Sequence, residues 1–155
     1  MKPDYSGVMP VKHEPLNYQC PFCRISNGAE AECIVANDLF CYAVISLGQK
    51  PGNPVSVLVA SHQHYENLYE VPDAPLAATA LMAKRVAVAM RQVLGCEGIT
   101  VAQHNESAGG QDVWHYHVHL HPRHEGDGFA EAKWMNMPLE ERARYATRIR
   151  AALDS

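Results

Sequence analysis

Four histidines alternate with apolar residues over one short stretch, residues 114–121. In a β-strand, side chains two residues apart point to the same face of the sheet. We therefore predict a strand over residues 113–121, with all four histidines on one face and the aromatic and aliphatic residues on the other. Imidazoles at a buried face need partners, and a phosphate is a suitable one. One ring can attack phosphorus, a second can protonate the leaving group, and others can bind the phosphoryl oxygens. The alternative is an exposed polar face that binds metals adventitiously.

Composition excludes several classes of protein. The chain has 155 residues, of which 47% are apolar and 19% charged, which is typical of one globular domain. A net charge of −4 without a Lys/Arg cluster argues against nucleic-acid binding. No apolar stretch approaches the ~20 residues that span a membrane, and residues 1–17 lack the apolar core of a signal peptide. We therefore expect a cytoplasmic protein with an irregular arm at residues 1–19 and a single domain at residues 20–155.

The predicted elements mix strands and helices. Strands are expected at 32–36, 39–46, 55–60, 98–105 and 113–121, with a loop at 48–54. A long helix is expected from Pro75, after a Pro-Asp start, to Leu94, before Gly95. The chain then ends in an amphipathic helix over 138–153. Because most links between strands are short, an antiparallel α+β sheet is favoured over a parallel one.

Cys20 and Cys23 form a close pair among five cysteines, an odd number that argues against a disulfide framework. The pair is compatible with half of a Cys₂His₂ zinc site, with a redox dithiol, or with two unmetallated thiols. A redox dithiol normally begins a helix that follows a strand, whereas this pair follows an irregular arm.

The residues around the histidines resemble the signature of the histidine triad (HIT) family. Gly110-Gln111 precedes the alternating histidines and Pro122-Arg123 follows them. The strand at 57–59, followed by the run 64–68 that begins with a histidine, is similar to a second motif of that family. The segment 20–25 resembles the Cys-x-x-Cys of zinc-containing, bacterial-type hydrolase members. The resemblance extends from about residue 20 to about residue 128.

This resemblance implies a fold and a catalytic set. The implied HIT fold is a curved antiparallel sheet of about five strands with one long helix and a C-terminal helix, usually in a homodimer. It makes His117 the nucleophile and places His119 against the transferred phosphoryl group or its leaving group. The substrate-binding residues carried over by the resemblance are Asn105, Gly110, Gln111, His119 and Ser46. Reading the triad as residues 117, 119 and 121 would make His119 the nucleophile, but it breaks the spacing from Gly-Gln.

The resemblance also implies a structural zinc ion. Its ligands would be Cys20, Cys23, His64 and His115, so that His115 binds the metal rather than phosphorus. His62 is the alternative to His64, but His64 directly precedes the matching run.

Two departures from the family pattern leave nucleoside specificity open. The second strand lacks the usual ribose-binding acid and offers Ser46 instead, and Ser56 stands where a histidine is often found. The implied activity is hydrolysis or transfer at the α-phosphate of a purine nucleotide or dinucleotide. A phosphoanhydride or phosphoramidate would be cleaved through a nucleotidyl-His117 intermediate. The alternatives are a nucleotide-binding or adaptor protein with incidental catalysis, and a protein that only binds metals.

Overall fold

A computed structural model describes residues 11–155 of the chain; predictions for residues 1–10 lie outside this range. Residues 11–19 form neither helix nor strand. The strands are β1 (Ile34–Asn37), β2 (Cys41–Ile45), β3 (Gly48–Gln49), β4 (Val57–Ser61), β5 (Gly98–Gln103), β6 (His117–Arg123) and β7 (Met135–Asn136). The α-helices are α1 (Pro21–Ser26), α2 (Asp73–Leu94) and α3 (Leu139–Leu153), and short 3₁₀ turns lie at Ala31–Cys33, Leu68–Glu70 and Ser107–Gly109.

The main sheet has five strands in the order β1-β2-β4-β6-β5, and every neighbouring pair is antiparallel. The predicted α+β fold with a five-stranded antiparallel sheet, a long helix and a C-terminal helix is therefore confirmed. In this order β6 is an inner strand, flanked by β4 and β5. The histidines of β6 are thus held by backbone ladders on both sides.

Two predictions of secondary structure were wrong, one of a strand and one of a loop. The strand expected at 113–121 begins only at His117, because the amide of Tyr116 donates to the carbonyl of Tyr65 and that of His115 to Val113. Those bonds turn the chain before it joins the sheet. The predicted loop at 48–54 contains β3, which pairs with β7 in a separate two-stranded sheet. The partner strand β7 is distant in sequence, so no local sequence pattern predicts the pairing.

The two longer helices pack on one face of the sheet. The α2 helix ends at Gly95, whose left-handed φ of 63° and N–H bond to the carbonyl of Arg91 close the last turn. Its side chains Met82, Val86 and Met90 are buried, as is Ile149 of α3. They form the main core with alternate residues of β2, β4 and β6. The opposite face carries a smaller cluster around Phe22 and Tyr42, and the β6 histidines lie on this side. No helix within residues 11–155 is long and apolar enough to cross a membrane.

Candidate active site and metal centre

Three histidines of β6 form a continuous row of rings. The ring centroids of His117 and His119 are 4.7 Å apart, and those of His119 and His121 are 5.3 Å apart. Phe22 of α1 covers the first of these rings at 4.6 Å. The predicted shared face is therefore present for three histidines, whereas His115 lies before the strand and turns towards the cysteine pair.

His117 is arranged as a neutral base. Its Nδ1 lies 2.6 Å from the carbonyl oxygen of His115, and because a carbonyl can only accept, Nδ1 carries the proton. Burial lowers the pKa of His117, and the side chain is only 5% exposed, so the neutral ring is favoured. Its Nε2 then has a free lone pair, which is what a nucleophile requires.

His119 has no hydrogen-bond partner within residues 11–155, and both ring nitrogens are available to a ligand. Burial, followed by the nearby His117, His121 and His104, lowers the pKa of His119 to about 3. The ring of His104 approaches it edge-on at 5.4 Å. A bound phosphate would raise the pKa of His119 again, because an adjacent anion stabilises the imidazolium. His119 can therefore become an acid once an anion is bound.

The loop before β6 is organised by the predicted substrate-binding amides. Gln111 donates from Nε2 to the carbonyls of Glu66 and Val113, and its Oε1 accepts from the amide of Glu106. Asn105 accepts from the amide of Leu68 through Oδ1. The side-chain contacts of Gln111 thus shape the loop, and direct contact of Gln111 or Asn105 with substrate stays a prediction.

Gly110 was expected to bind substrate, and Gly109 precedes it in the same loop. The N–H groups of Gly109 and Gly110 donate to the carbonyls of Glu106 and Ser107 within the loop. Gly110 has a left-handed φ of 85°, and a Cβ there would lie 3.3 Å from Nδ1 of His104. The requirement for glycine at this position is therefore conformational, and binding of substrate by Gly110 stays a prediction.

Ser46 and Ser56 lie side by side at the ends of two strands. The amide of Ser46 donates to the carbonyl of Ser56 at 3.0 Å, and Oγ of Ser56 lies 2.8 Å from Nδ1 of His121. The pairing of His121 with Ser56 was not foreseen, although Ser56 was noted as a departure from the family pattern. A contact of Ser46 with ribose stays a prediction.

The four predicted metal ligands are brought together. Cys20, Cys23, His64 and His115 each offer one ligand atom, and these atoms lie within 4.8 Å of one another. The Nδ1 atom of His115 is 3.2 Å from Sγ of Cys20 and 3.2 Å from Nδ1 of His64. Cys23 Sγ is 3.4 Å from His64 Nδ1 and 3.7 Å from His115 Nδ1. His62, the alternative ligand, instead contacts Ser26 and Asn37.

Four of the separations between these ligand atoms, 3.2–3.7 Å, are close to those of a tetrahedral zinc site. Zinc bonds of about 2.3 Å to sulfur and 2.0–2.1 Å to nitrogen give tetrahedral edges of roughly 3.3–3.8 Å. The Nε2 atoms of the two histidines, which are not the candidate ligand atoms, have acceptors of their own. Nε2 of His115 donates to the carbonyl of Ser61 at 2.8 Å, and Nε2 of His64 lies 2.6 Å from a carboxylate oxygen of Glu14. Such acceptors place the protons on Nε2 and direct both Nδ1 lone pairs into the cluster. Sequence reasoning missed Glu14, which is 50 residues from His64 and carries no motif.

The cysteine pair is a weaker candidate for redox chemistry. Cys20 caps α1, as a redox pair would, but no strand precedes it within residues 11–19. Burial, with the neighbouring Cys20, raises the pKa of Cys23 to about 11, whereas reactive thiols have a lowered pKa. A bound metal cation would stabilise the thiolate forms of both cysteines.

Comparison with known proteins agrees with this geometry. The HIT domain family matches residues 29–126, more than half of the chain. The chain belongs to the HIT family. An uncharacterised HIT-like protein of Methanocaldococcus jannaschii is 34% identical over 79% of this chain and 94% of its own length. An adenylylsulfatase of Arabidopsis thaliana is 29% identical over 79% of this chain and 61% of its own length.

A solved HIT structure is similar over most of the fold. It is a zinc-bound histidine triad family protein of Mycobacterium smegmatis, with a TM-score of 0.72 and 28% identity. The similarity covers 88% of this chain and 94% of that one. The HIT family assignment made from the sequence is therefore confirmed, and a candidate Cys₂His₂ metal site accompanies it.

Proposed function

We propose that this HIT protein cleaves a phosphoanhydride or phosphoramidate bond at the α-phosphate of a purine nucleotide or dinucleotide. The observation that carries the proposal is the bond from Nδ1 of His117 to the carbonyl of His115. It leaves Nε2 of His117 unprotonated beside His119, whose ring nitrogens have no partner in the described chain. A nucleophile and a potential acid therefore adjoin each other on one strand.

The reaction divides into two displacements. In the first, Nε2 of His117 forms a bond to the α-phosphorus, the bond to the leaving group breaks, and His119 gives a proton to the departing atom. In the second, water attacks the nucleotidyl-His117 intermediate and gives its proton to His119. The phosphorus–nitrogen bond breaks, and a nucleoside monophosphate leaves. His119 also stabilises charge on the phosphoryl oxygens, with Gln111 and Asn105 holding the loop that faces them.

The relatives support the reaction class without deciding the substrate. The adenylylsulfatase similarity brings a third kind of leaving group, sulfate, into consideration, since an adenylyl sulfate is also an anhydride at the nucleotide phosphorus. The panel of substrates should therefore contain dinucleoside polyphosphates, a nucleoside phosphoramidate and an adenylyl sulfate.

We also propose that zinc occupies the Cys₂His₂ cluster in a structural role. All four protein ligands are present, so no coordination position is left for substrate. The ion would supply a crosslink between α1 and the segment that precedes β6. The chain itself contributes Glu14 and the carbonyl of Ser61, which orient the two imidazoles.

A homodimer through β5 and α2 is the assembly that the surface favours. β5 is an edge strand of the main sheet, and Val101 on it is exposed, as are Leu81 and Val88 of α2. Exposed edges and apolar side chains on neighbouring elements are typical of interfaces. Sedimentation equilibrium should give a dimer for the wild type and a monomer for Val101→Lys.

Nucleotide binding without turnover is the second candidate function. The absence of an acid at Ser46 favours it, because a serine holds ribose hydroxyls less strongly than a carboxylate does. Binding at saturating nucleotide, with no product released by the wild type, would select this candidate.

Intact-protein mass spectrometry tests the hydrolase proposal. The protein is mixed with each substrate and quenched at neutral or alkaline pH, because a phosphorus–nitrogen bond is labile in acid. The wild type should carry one nucleotidyl adduct and release monophosphate, whereas His117→Ala should do neither while keeping its fold and metal content. His124→Ala, which changes an exposed histidine outside the row, is the matched control. Turnover retained by His117→Ala would contradict the mechanism.

A further inference from the structure

The end of the histidine row farthest from the cysteines is closed by two aromatic rings. Phe129 and Trp134 lie in the segment between β6 and β7, and their ring centroids are 4.9 Å and 5.9 Å from that of His121. The pairing of β7 with β3, in the separate two-stranded sheet, anchors the C-terminal end of this segment. The row therefore continues past His119 to His121 and these two rings, a group of side chains that the proposed reaction does not use.

A lysine approaches the same two rings. Nζ of Lys50 lies 4.3 Å from the ring centroid of Phe129 and 5.1 Å from that of Trp134, and it donates to the carbonyl of Phe129. Lys50 is only 6% exposed. No carboxylate within residues 11–155 forms an ion pair with it, whereas the nearby Arg123 is paired with Asp127. The carbonyl and the two ring faces thus stabilise the ammonium group, but no anion within the described residues neutralises its charge, and burying a charge without an anionic partner is costly.

The loop that carries Lys50 is built to hold it there. Asn53, fully buried, donates to the carbonyl of Pro122 at 2.8 Å and to Asp127 at 2.6 Å. Gln49, the residue before Lys50, accepts from the amide of Ser56 at 2.7 Å and donates to the carbonyl of Ser46. These contacts fix the backbone before and after Lys50, and the contacts of Nζ with Phe129 and Trp134 hold its side chain against the protein.

His121 supplies a second donor beside the same two rings. Oγ of Ser56 is 2.8 Å from Nδ1 of His121 and has no other side-chain hydrogen bond within the described residues. Ser56 uses its proton only if it donates to Nδ1, which places the imidazole proton on Nε2. The two donors, Nε2 of His121 and Nζ of Lys50, then lie against the same aromatic walls, one ring beyond His119.

We propose that Lys50 and His121 form a second anion subsite, which binds a further phosphate or sulfate group of the molecule whose α-phosphate is held at His117 and His119. The inference rests on the proposed function for the position of the first phosphate. The chemical class selected is a nucleotide with two anionic groups. The second group is either the next phosphate along a polyphosphate chain or a phosphate carried on the ribose.

Calorimetric titration of unreactive ligands tests the subsite without relying on turnover. The ligands are AMP, the α,β-methylene analogue of ADP, whose bridging carbon prevents cleavage, and adenosine 3′,5′-bisphosphate, and the last two separate the two sources of the second group. We expect one of the two bis-anionic ligands to bind the wild type at least about tenfold more tightly than AMP, since two charge-assisted hydrogen bonds are added. Lys50→Met should remove that difference, and Lys84→Met, which changes an exposed lysine of α2, should keep it.

The ratio of affinities distinguishes binding from folding. If Lys50 only supports the loop, Lys50→Met weakens AMP and the bis-anionic ligands equally, and the proposal is wrong. It is equally wrong if both bis-anionic ligands bind the wild type within threefold of AMP. His121→Leu provides a second variant in which the ratio should fall, with zinc content and the thermal midpoint as checks on its fold. If the wild type shows no hydrolysis in the mass-spectrometry experiment but still binds a bis-anionic ligand about tenfold more tightly than AMP, the proposed function is wrong and the subsite is supported.

Discussion

Replacing Glu14 with glutamine should weaken the binding of zinc. Oε2 of Glu14 is 2.6 Å from Nε2 of His64, so the carboxylate accepts the proton that the metal-bound ring must carry on that nitrogen. Outer partners of this kind change metal affinity by about 10- to 100-fold. Both side chains are about one third exposed, so water can replace part of the lost bond. We therefore expect the lower end, about tenfold, which corresponds to about 1.4 kcal/mol.

The assay is an equilibrium competition between the protein and a chromogenic zinc chelator, in a phosphine reductant that keeps the cysteines reduced. Glu32→Gln, which changes an exposed glutamate, is the matched control and should bind zinc as the wild type does. An affinity of Glu14→Gln within twofold of the wild type would refute the role of Glu14. An equal loss in both variants would mean that net charge, rather than the bond to His64, determines the affinity.

Three further changes probe the core, the loop and the histidine row. Ile149→Ala should lower the free energy of unfolding by about 2–5 kcal/mol in urea titrations, since Ile149 is fully buried; a loss below 1 kcal/mol would contradict this. Gly110→Ala should cost about 1–2 kcal/mol because φ is 85°, and Gly109→Ala, with open space around it, should cost less. Burial lowers the pKa of His119 to about 3 and that of His121 to about 4. The unfolded chain therefore takes up protons first, and stability should be constant above about pH 7 and fall from about pH 6.5 to pH 4. His119→Asn should reduce that dependence on pH, and an unchanged urea midpoint between pH 7 and pH 5 in the wild type would contradict the reasoning.

The long helix shows what local sequence determines. Both ends of α2 carry their own signals, Pro72-Asp73 at the start and Gly95 at the end, and its apolar spacing matches a helix on a sheet. The observed bounds, Asp73–Leu94, differ from the prediction by two residues at one end only. The four candidate metal ligands, which the structure brings together, were likewise predicted from residue type and motif order without knowledge of distances.

Contacts between distant segments were beyond such reasoning. The short strand β7 has no apolar alternation of its own, and only its pairing with β3 makes it a strand. Lys50 lies in the segment predicted as a loop, residues 48–54, yet hydrogen bonds of Asn53 and Gln49 hold that segment against the main sheet. The alternation at 114–121 begins before the strand does, because a backbone bond from Tyr116 to Tyr65 overrides the local preference for extended pairing.

The four histidines have equivalent places in the sequence pattern but different chemistry. For three of them the partner of Nδ1 explains the difference, and the ring of His119 has no hydrogen-bond partner within residues 11–155. Nδ1 of His115 faces the two thiols, Nδ1 of His117 faces a carbonyl, and Nδ1 of His121 faces the hydroxyl of Ser56. Because a neutral imidazole carries one proton, each of these partners determines whether Nε2 is a base or a donor. The carbonyl that holds the proton on His117 belongs to His115, whose ring lies in the metal cluster. A zinc ion that held that ring would also fix the carbonyl, so the proposed metal, without an open coordination position, would still act on His117, the proposed nucleophile, through one backbone residue.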